Sequence, residues 1–141
     1  MSTLPKVIVV DEATDRACLM AAGLRVEGFD VETAPDARGA LDLMTGKTFE
    51  FAVVDMMLPG TNGIELARLM REQFPYTRVI LMSAYPVSER LLVLADCGAV
   101  GFVPMPFDLT EVVCFLRGKL APVGPAEGGE VVPRWTEPDE Q

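Results

Sequence analysis

The stretch 51–63 constrains the fold of this chain more than any other part of the sequence. Its first four residues, Phe-Ala-Val-Val, are all apolar, which is typical of a strand buried on both faces. Asp55 ends this run, and Pro, Gly and Asn follow within eight residues, as in a loop. Ligands of an open parallel α/β sheet bind outside the carboxyl ends of its strands, which favours a chemical role for this carboxylate. A lone acid at a strand end is equally typical of a turn.

A second apolar run ends in the same way. Residues 7–10 are Val-Ile-Val-Val, and Asp11 and Glu12 follow them. The carboxyl ends of parallel strands meet at one edge of a sheet, so we expect Asp11, Glu12 and Asp55 to converge there, with the Ser83 hydroxyl arriving from a later strand. Three neighbouring carboxylates repel one another, and a hard cation such as Mg²⁺ relieves that repulsion. A carboxylate beside Mg²⁺ can attack a phosphoryl group.

Strand patterns alternate with helix patterns along the first 120 residues. Strands are predicted at 6–10, 29–33, 51–55, 78–82 and 100–103, and helices at 14–27, 36–46, 63–73, 87–95 and from Asp108 onward. Five such pairs predict right-handed βαβ units. The expected fold is therefore α/β, with a doubly wound, five-stranded parallel sheet covered by helices on both faces.

Composition limits the class of protein. Half of the 141 residues are hydrophobic and 23% are charged, which fits one globular domain over residues 1–120. Residues 121–141 are acidic and rich in Pro and Gly, as in a flexible tail or linker. The net charge of −9 argues against direct binding to nucleic acid or to an anionic membrane. Without a leader or a spanning apolar run, a cytoplasmic location is expected.

Histidine is absent, and cysteine is scarce. The lack of histidine excludes His-dependent catalytic triads, most zinc sites and a role as phosphohistidine donor. Cys18, Cys97 and Cys114 are far apart and odd in number. We therefore expect three reduced, buried thiols that form neither disulfides nor a metal site.

Taken together, these motifs resemble the receiver domain of two-component response regulators over residues 6–120. Five positions match in order and spacing: the acidic pair Asp11 and Glu12, the phosphoacceptor Asp55, the switch hydroxyl Ser83 and the switch aromatic Phe102. Pro106-Phe107 matches the end of the family's Lys-Pro-Phe. The resemblance implies a flavodoxin-like (βα)5 fold and a cis bond between Met105 and Pro106.

The same resemblance implies a function. A sensor histidine kinase or phosphotransfer protein would pass a phosphoryl group to Asp55. Mg²⁺ would be held by Asp11, Glu12, Asp55 and the backbone carbonyl of Met57. Phosphorylation would then shift the face built by the fourth helix, the fifth strand and the fifth helix, through which a downstream protein or a second copy of the chain binds. Such a chain is a signalling domain, and its only chemistry is its own phosphorylation and dephosphorylation.

Two positions depart from the family pattern. Glu12 replaces the commoner aspartate, and Met105 stands where the family has a lysine that pairs with the phosphate. A cation about 4 Å from a phosphoryl oxygen contributes on the order of 4 kcal/mol at an effective dielectric constant of 20, before desolvation. Without the lysine, the three acids give the metal-free pocket a charge of about −3 and no fixed counter-ion. The sequence offers no obvious substitute cation, with Arg78 and Arg90 as the candidates left open.

Because this lysine is missing, an alternative function stays open. A pseudo-receiver would keep the fold and bind partners without phosphorylation, while the retained acids and Ser83 favour a working phosphoacceptor. Two other classes fit the sequence poorly. A Mg²⁺-dependent phosphatase with a nucleophilic aspartate needs a second acid where Met57 stands. A flavin protein needs a phosphate-binding loop where Asp11 and Glu12 would repel the ligand.

Overall fold

A computed structural model of the chain describes residues 4–84 and 96–120. The strands are β1 (Lys6–Val10), β2 (Asp30–Ala34), β3 (Phe51–Asp55), β4 (Arg78–Ser83) and β5 (Gly101–Pro104). The helices are α1 (Thr14–Val26), α2 (Ala37–Gly46), α3 (Gly63–Gln73) and α4 (Leu109–Leu120). Helix α4 is the last of the five helices predicted from the sequence. The predicted helix 87–95 and the predicted tail 121–141 lie outside the described residues.

All strand pairs are parallel, and the strand order is β2-β1-β3-β4-β5. This is the predicted α/β fold. The chain adds β2 on one side of β1 and β3 on the other, so the order reverses between β1 and β3, the kind of point where ligands bind in such sheets. The register pairs Val10 with Val54. Asp11 and Asp55, which directly follow this pair in the chain, are therefore brought to the same edge of the sheet.

Helices cover both faces of the sheet, which explains why the central strands are apolar throughout. Helices α1 and α4 pack on one face, and α2 and α3 pack on the other. Alternate residues of β1 belong to the two layers: Val7 and Val9 to the first, Ile8 and Val10 to the second. All four of these side chains are 0% exposed.

Polar side chains mark the starts of three helices. Backbone N–H groups donate to the Oδ1 atoms of Asp36 (2.8 Å), Asn62 (2.9 Å) and Asp108 (3.3 Å) at the starts of α2, α3 and α4. The start of α2 after Asp36 and that of α4 after Asp108 are as predicted, and α3 has the predicted bounds. Strands β2 and β5 each begin and end one residue later than predicted.

The cysteines differ from the prediction. All three are free thiols, but only Cys97 is buried, while Cys18 and Cys114 are exposed. Each exposed cysteine directly follows a buried residue, Ala17 or Val113. One residue along a helix is a rotation of about 100°, which turns the cysteine away from the core. None of the helices in the described ranges is long and apolar enough to cross a membrane.

Candidate functional site

Two buried carboxylates lie side by side at the carboxyl edge of the sheet. Asp11 and Asp55 are 2% and 3% exposed. Asp55 is the last residue of β3, and the Asp11 N–H donates to the carbonyl oxygen of Ala34 at 3.0 Å, which continues the pairing of β1 with β2. The sheet therefore fixes the backbone beneath both carboxylates.

The side chain of Arg16 connects these two acids. Its Nε donates to Asp11 Oδ2 at 2.6 Å, and its Nη2 donates to Asp11 Oδ1 at 2.8 Å. The same Nη2 donates to Asp55 Oδ2 at 3.2 Å. Arg16 thus holds Asp11 with a two-pronged bond and reaches Asp55 with a weaker one.

Backbone N–H groups also donate to the acid pocket, the group formed by Asp11, Asp55 and Arg16. The Ala13 N–H donates to Asp11 Oδ1 at 2.9 Å, and the Met57 N–H donates to Asp55 Oδ1 at 3.0 Å. Each of the four carboxylate oxygens therefore accepts at least one hydrogen bond. Two carboxylates and one guanidinium leave this group a formal charge of −1, not the −3 expected from the sequence.

The pKa values of Asp55 and Arg16 are both raised, but for different reasons. Burial raises the pKa of Asp55, and the nearby Asp11 acts in the same direction. The Met57 N–H and the charge of Arg16 partly oppose that rise in the pKa. The pKa of Arg16 is also raised, chiefly by its hydrogen bond to Asp11. The guanidinium therefore remains charged throughout the accessible pH range.

Glu12 does not join the two aspartates. It is exposed, and no group of three His, Cys, Asp or Glu residues in the described ranges is placed to hold a metal ion. Asp11 is the last residue that extends the pairing with β2, and successive residues of an extended chain point in opposite directions. The predicted convergence of three carboxylates is therefore replaced by two carboxylates on one arginine. A metal-ligand role for Glu12 stays a prediction.

The predicted switch residues Ser83 and Phe102 are both 3% exposed. Ser83 ends β4, and its carbonyl oxygen accepts a hydrogen bond from the Met105 N–H at 2.9 Å. Phe102 belongs to the core layer formed with α2 and α3, together with Leu81 and Cys97. Their switching roles remain predictions, and in this structure Phe102 is a core residue.

Met105 lies on the other side of the sheet from Phe102. It is half-buried and packs against the core layer formed with α1 and α4. The peptide bond between Met105 and Pro106 is cis, as predicted. A thioether can pack in this position, but it provides neither a charge nor a hydrogen-bond donor.

Arg16 is the residue that the sequence analysis missed. Of the two candidates left open there, Arg78 lies at the opposite edge, at the start of β4, with its guanidinium 5.9 Å from the centre of the Phe51 ring. Arg90 lies outside the described residues. One signal was available for Arg16: it is in the first turn of α1, where the helix dipole disfavours a positive charge. A cation in that position indicates an acid nearby in space.

The loop after Asp55 returns tightly to the end of β3. The Gly63 N–H donates to the Met56 carbonyl oxygen at 2.9 Å. A Cβ atom on Gly63 would lie 2.5 Å from the Asp55 carbonyl oxygen, so only glycine fits this approach. Gly60, within the loop, has a positive φ of 81°. The glycines of the loop therefore bring the start of α3 directly against the acid pocket.

The oxygen atoms of this pocket suit a hard divalent cation. Mg²⁺ prefers carboxylate and carbonyl oxygens, and Asp11, Asp55 and the Met57 carbonyl supply that chemistry. The carboxylate oxygens now accept the hydrogen bonds of Arg16. The residues present therefore fit Mg²⁺, with Arg16 in contact with the same oxygens.

Comparison with known proteins agrees with this geometry. Residues 7–117 match the response regulator receiver domain family. The chain is 34% identical over 113 residues to the transcriptional regulatory protein TcrA of Mycobacterium tuberculosis, covering 79% of this chain and 44% of that protein. It is also 34% identical over 126 residues to the response regulator MprA of Mycolicibacterium vanbaalenii, covering 87% of this chain and 53% of MprA. The chain thus spans about half the length of these relatives.

Solved structures are similar in the same way. A CheY-like receiver domain protein from Methanospirillum hungatei is 25% identical, with a TM-score of 0.77 over 84% of this chain and 94% of that one. The response regulator TrrA from Thermotoga maritima, solved in complex with Mg²⁺ and BeF, is 25% identical, with a TM-score of 0.74 over 83% of this chain and all of that one.

These matches agree with three features of the described structure: the strand order, the buried acid pair and the cis-proline. The chain belongs to the response regulator receiver domain family, the signalling domains of two-component systems.

Proposed function

We propose that this chain is a phosphoacceptor: it takes a phosphoryl group onto Asp55 from the phosphohistidine of a sensor kinase or a phosphotransfer protein, with Mg²⁺ bound. The observation that carries the proposal is the position of Asp55. It is a buried carboxylate at the carboxyl end of the central strand, next to a second carboxylate and a loop that returns to it. TrrA of Thermotoga maritima, a relative with this fold, holds Mg²⁺ and BeF.

The residues around Asp55 have distinct parts in the transfer. The Met57 N–H donates to Oδ1, whereas Oδ2 accepts only the 3.2 Å hydrogen bond from Arg16, so Oδ2 would attack phosphorus once Arg16 withdraws. A bond forms between Oδ2 and phosphorus as the bond between phosphorus and the donor's imidazole nitrogen breaks, and that nitrogen keeps the electron pair. Mg²⁺, when bound, neutralises charge on the carboxylates and on the transferred group. Asp11, Asp55 and the Met57 carbonyl would hold it, with Glu12 reaching it only by a change of side-chain position.

The output would follow the family pattern. Ser83 and Phe102 would respond to the phosphoryl group and alter the surface near β5 and α4, which binds a downstream protein or a second copy of the chain. The TcrA match suggests that this receiver acts within transcriptional regulation. Regulation of that kind would be exerted through another protein or domain.

A second candidate function is a pseudo-receiver that binds partners without phosphorylation. Two features favour it: Met105 stands where the family resemblance implies a lysine, and Arg16 contacts the oxygen that would attack phosphorus. One experiment separates the two functions. Intact mass spectrometry would follow the protein after incubation with Mg²⁺ and acetyl phosphate, and separately with a phosphorylated histidine kinase.

We expect one phosphoryl adduct in the parent and none in Asp55→Asn. Asp42→Asn is the matched control, because Asp42 is an exposed aspartate of α2 and its loss changes the charge equally. An adduct that persists in Asp55→Asn would refute the assignment of the acceptor. Absence of an adduct from every donor would establish the pseudo-receiver instead.

A further inference from the structure

We propose that Arg16 is a built-in competitor of the divalent cation. Its guanidinium and Mg²⁺ require the same oxygens of Asp11, and the guanidinium also contacts the Asp55 carboxylate, so that the metal enters the pocket as the guanidinium leaves it. This inference rests on the proposed function in one respect, because it takes Mg²⁺ as the ion of the pocket. It does not require that Asp55 is ever phosphorylated.

Arg16 contacts both Asp11 oxygens, which a metal in this pocket would need, and one oxygen of Asp55. Its two nitrogens contact three of the four carboxylate oxygens, at 2.6, 2.8 and 3.2 Å. The fourth oxygen, Asp55 Oδ1, accepts from the Met57 N–H. Mg²⁺ needs near-octahedral oxygens at about 2.0–2.1 Å. Two positive groups so close to the same oxygens repel each other, so one weakens the binding of the other.

The burial of the partners makes an exchange feasible. The Asp11 and Asp55 side chains are 0% and 4% exposed, whereas the Arg16 side chain is 37% exposed. The acids are fixed within the sheet, and the guanidinium lies at the solvent side of the pocket. Arg16 can therefore move into water without disturbing the core, whereas the carboxylates cannot follow it.

The competition has a direct thermodynamic consequence. In the metal-free state the guanidinium offsets one of the two negative charges of the buried carboxylates. For a metal that binds only the arginine-free pocket, the apparent affinity equals the intrinsic affinity multiplied by the fraction of molecules in which the guanidinium is absent. Arg16 should therefore stabilise the free protein and weaken metal binding at the same time.

The test is a calorimetric titration of the full chain with MgCl₂ at fixed ionic strength. We expect Arg16→Gln to bind Mg²⁺ at least tenfold more tightly than the parent. Arg38→Gln is the matched control: Arg38 is an exposed arginine of α2, and its replacement changes the net charge by the same amount. Its affinity should remain within twofold of the parent. Arg16→Lys, which keeps the charge but lacks the two-pronged geometry, should fall between the parent and Arg16→Gln.

A second measurement needs no variant that might fail to fold. The Arg16 Nε–H resonance of the parent is followed by ¹⁵N NMR. Its chemical shift should change as Mg²⁺ reaches saturation, because the hydrogen bond to Asp11 breaks. The proposal is overturned if Arg16→Gln binds Mg²⁺ no more tightly than the parent, if the Nε–H resonance is unchanged at saturation, or if no variant binds Mg²⁺. A protein that shows the expected affinities yet takes no phosphoryl adduct would refute the proposed function and leave this inference intact.

Discussion

Two groups of ion pairs at different places in the sheet show how burial changes the value of the same contact. At the edge strand β2, Lys6 Nζ lies 2.8 Å from Asp30 Oδ2, and the two side chains are 35% and 48% exposed. In the acid pocket, Arg16 Nε lies 2.6 Å from Asp11 Oδ2, and the Asp11 side chain is 0% exposed. The distances are nearly equal, whereas the surroundings are opposite.

Water accounts for the difference between the two regions. If the Lys6–Asp30 pair breaks, water solvates both charges at once, and such exposed pairs contribute about 0.2–1 kcal/mol. If Arg16 is removed, Asp11 remains buried with a backbone N–H as its other hydrogen-bond donor. Removing one partner of a fully buried pair costs about 3–5 kcal/mol. The short distance alone therefore does not measure stability; the burial of the partner left behind does.

The largest expected effect is the loss of Arg16. Because Arg16 is itself partly exposed, we expect Arg16→Met to lower the metal-free free energy of unfolding by about 2 kcal/mol, below the fully buried limit. Lys6→Met, the matched change at the sheet edge, should cost less than about 1 kcal/mol. Urea unfolding of both variants in EDTA measures the difference. Equal losses would show that burial does not separate the two regions.

Salt provides a check on the same pair of variants. At 1 M NaCl the Debye length is about 3 Å, so the cost of Lys6→Met should nearly vanish. The cost of Arg16→Met should largely remain, because its partners are buried. A cost for Arg16→Met that disappears in salt would mean that the pocket is hydrated.

A smaller effect is expected from placing a lysine at position 105. With Arg16 in the pocket, the metal-free protein already has a fixed cation, so Met105→Lys should add less than about 1 kcal/mol, since the buried amine also pays for desolvation. In the Arg16→Met background the same change should add about 2 kcal/mol. Thermal or urea unfolding in EDTA compares the two gains. Mg²⁺ should also stabilise the parent more than Met105→Lys.

Two results would contradict this account. Equal gains in both backgrounds would mean that residue 105 does not face the acids. A Mg²⁺ increment in Met105→Lys that matches or exceeds that of the parent would lead to the same conclusion. Met105→Leu is the control, because it keeps the packing against the α1 and α4 layer without adding a charge.

The sequence predicts the fold well because the fold depends on local patterns. The buried runs at 7–10 and 51–54 and the helix start at Asp36 are each visible in a few neighbouring residues. The placement of Asp11 and Asp55 at one edge follows from parallel strands alone. The cis bond before Pro106 came from family resemblance and is confirmed.

The composition of the pocket could not be predicted in the same way. Arg16 points towards the two acids, whereas Glu12 is exposed. These directions depend on how the chain leaves β1 and enters α1, and neither residue belongs to an apolar pattern. The sequence gives the charges near Asp11 but not their directions. The exposed Cys18 has the same cause, because α1 is rich in small apolar residues on more than one face.

The smallest predicted effect concerns the surface pair and its dependence on pH. The hydrogen bond from Lys6 lowers the pKa of Asp30 below its ordinary value of 3.8. A carboxyl whose pKa is lower in the folded state stabilises the protein above its unfolded-state pKa, and this stability is lost as the pH falls through the folded-state value. In Lys6→Met the Asp30 pKa, measured by ¹³C NMR of the carboxyl group, should rise towards 3.8. Arg38→Met, which removes an exposed cation from α2, should leave it unchanged. If both variants raise the Asp30 pKa equally, the shift reflects the overall charge of the protein, and the sheet edge contains no specific pair to set against the acid pocket.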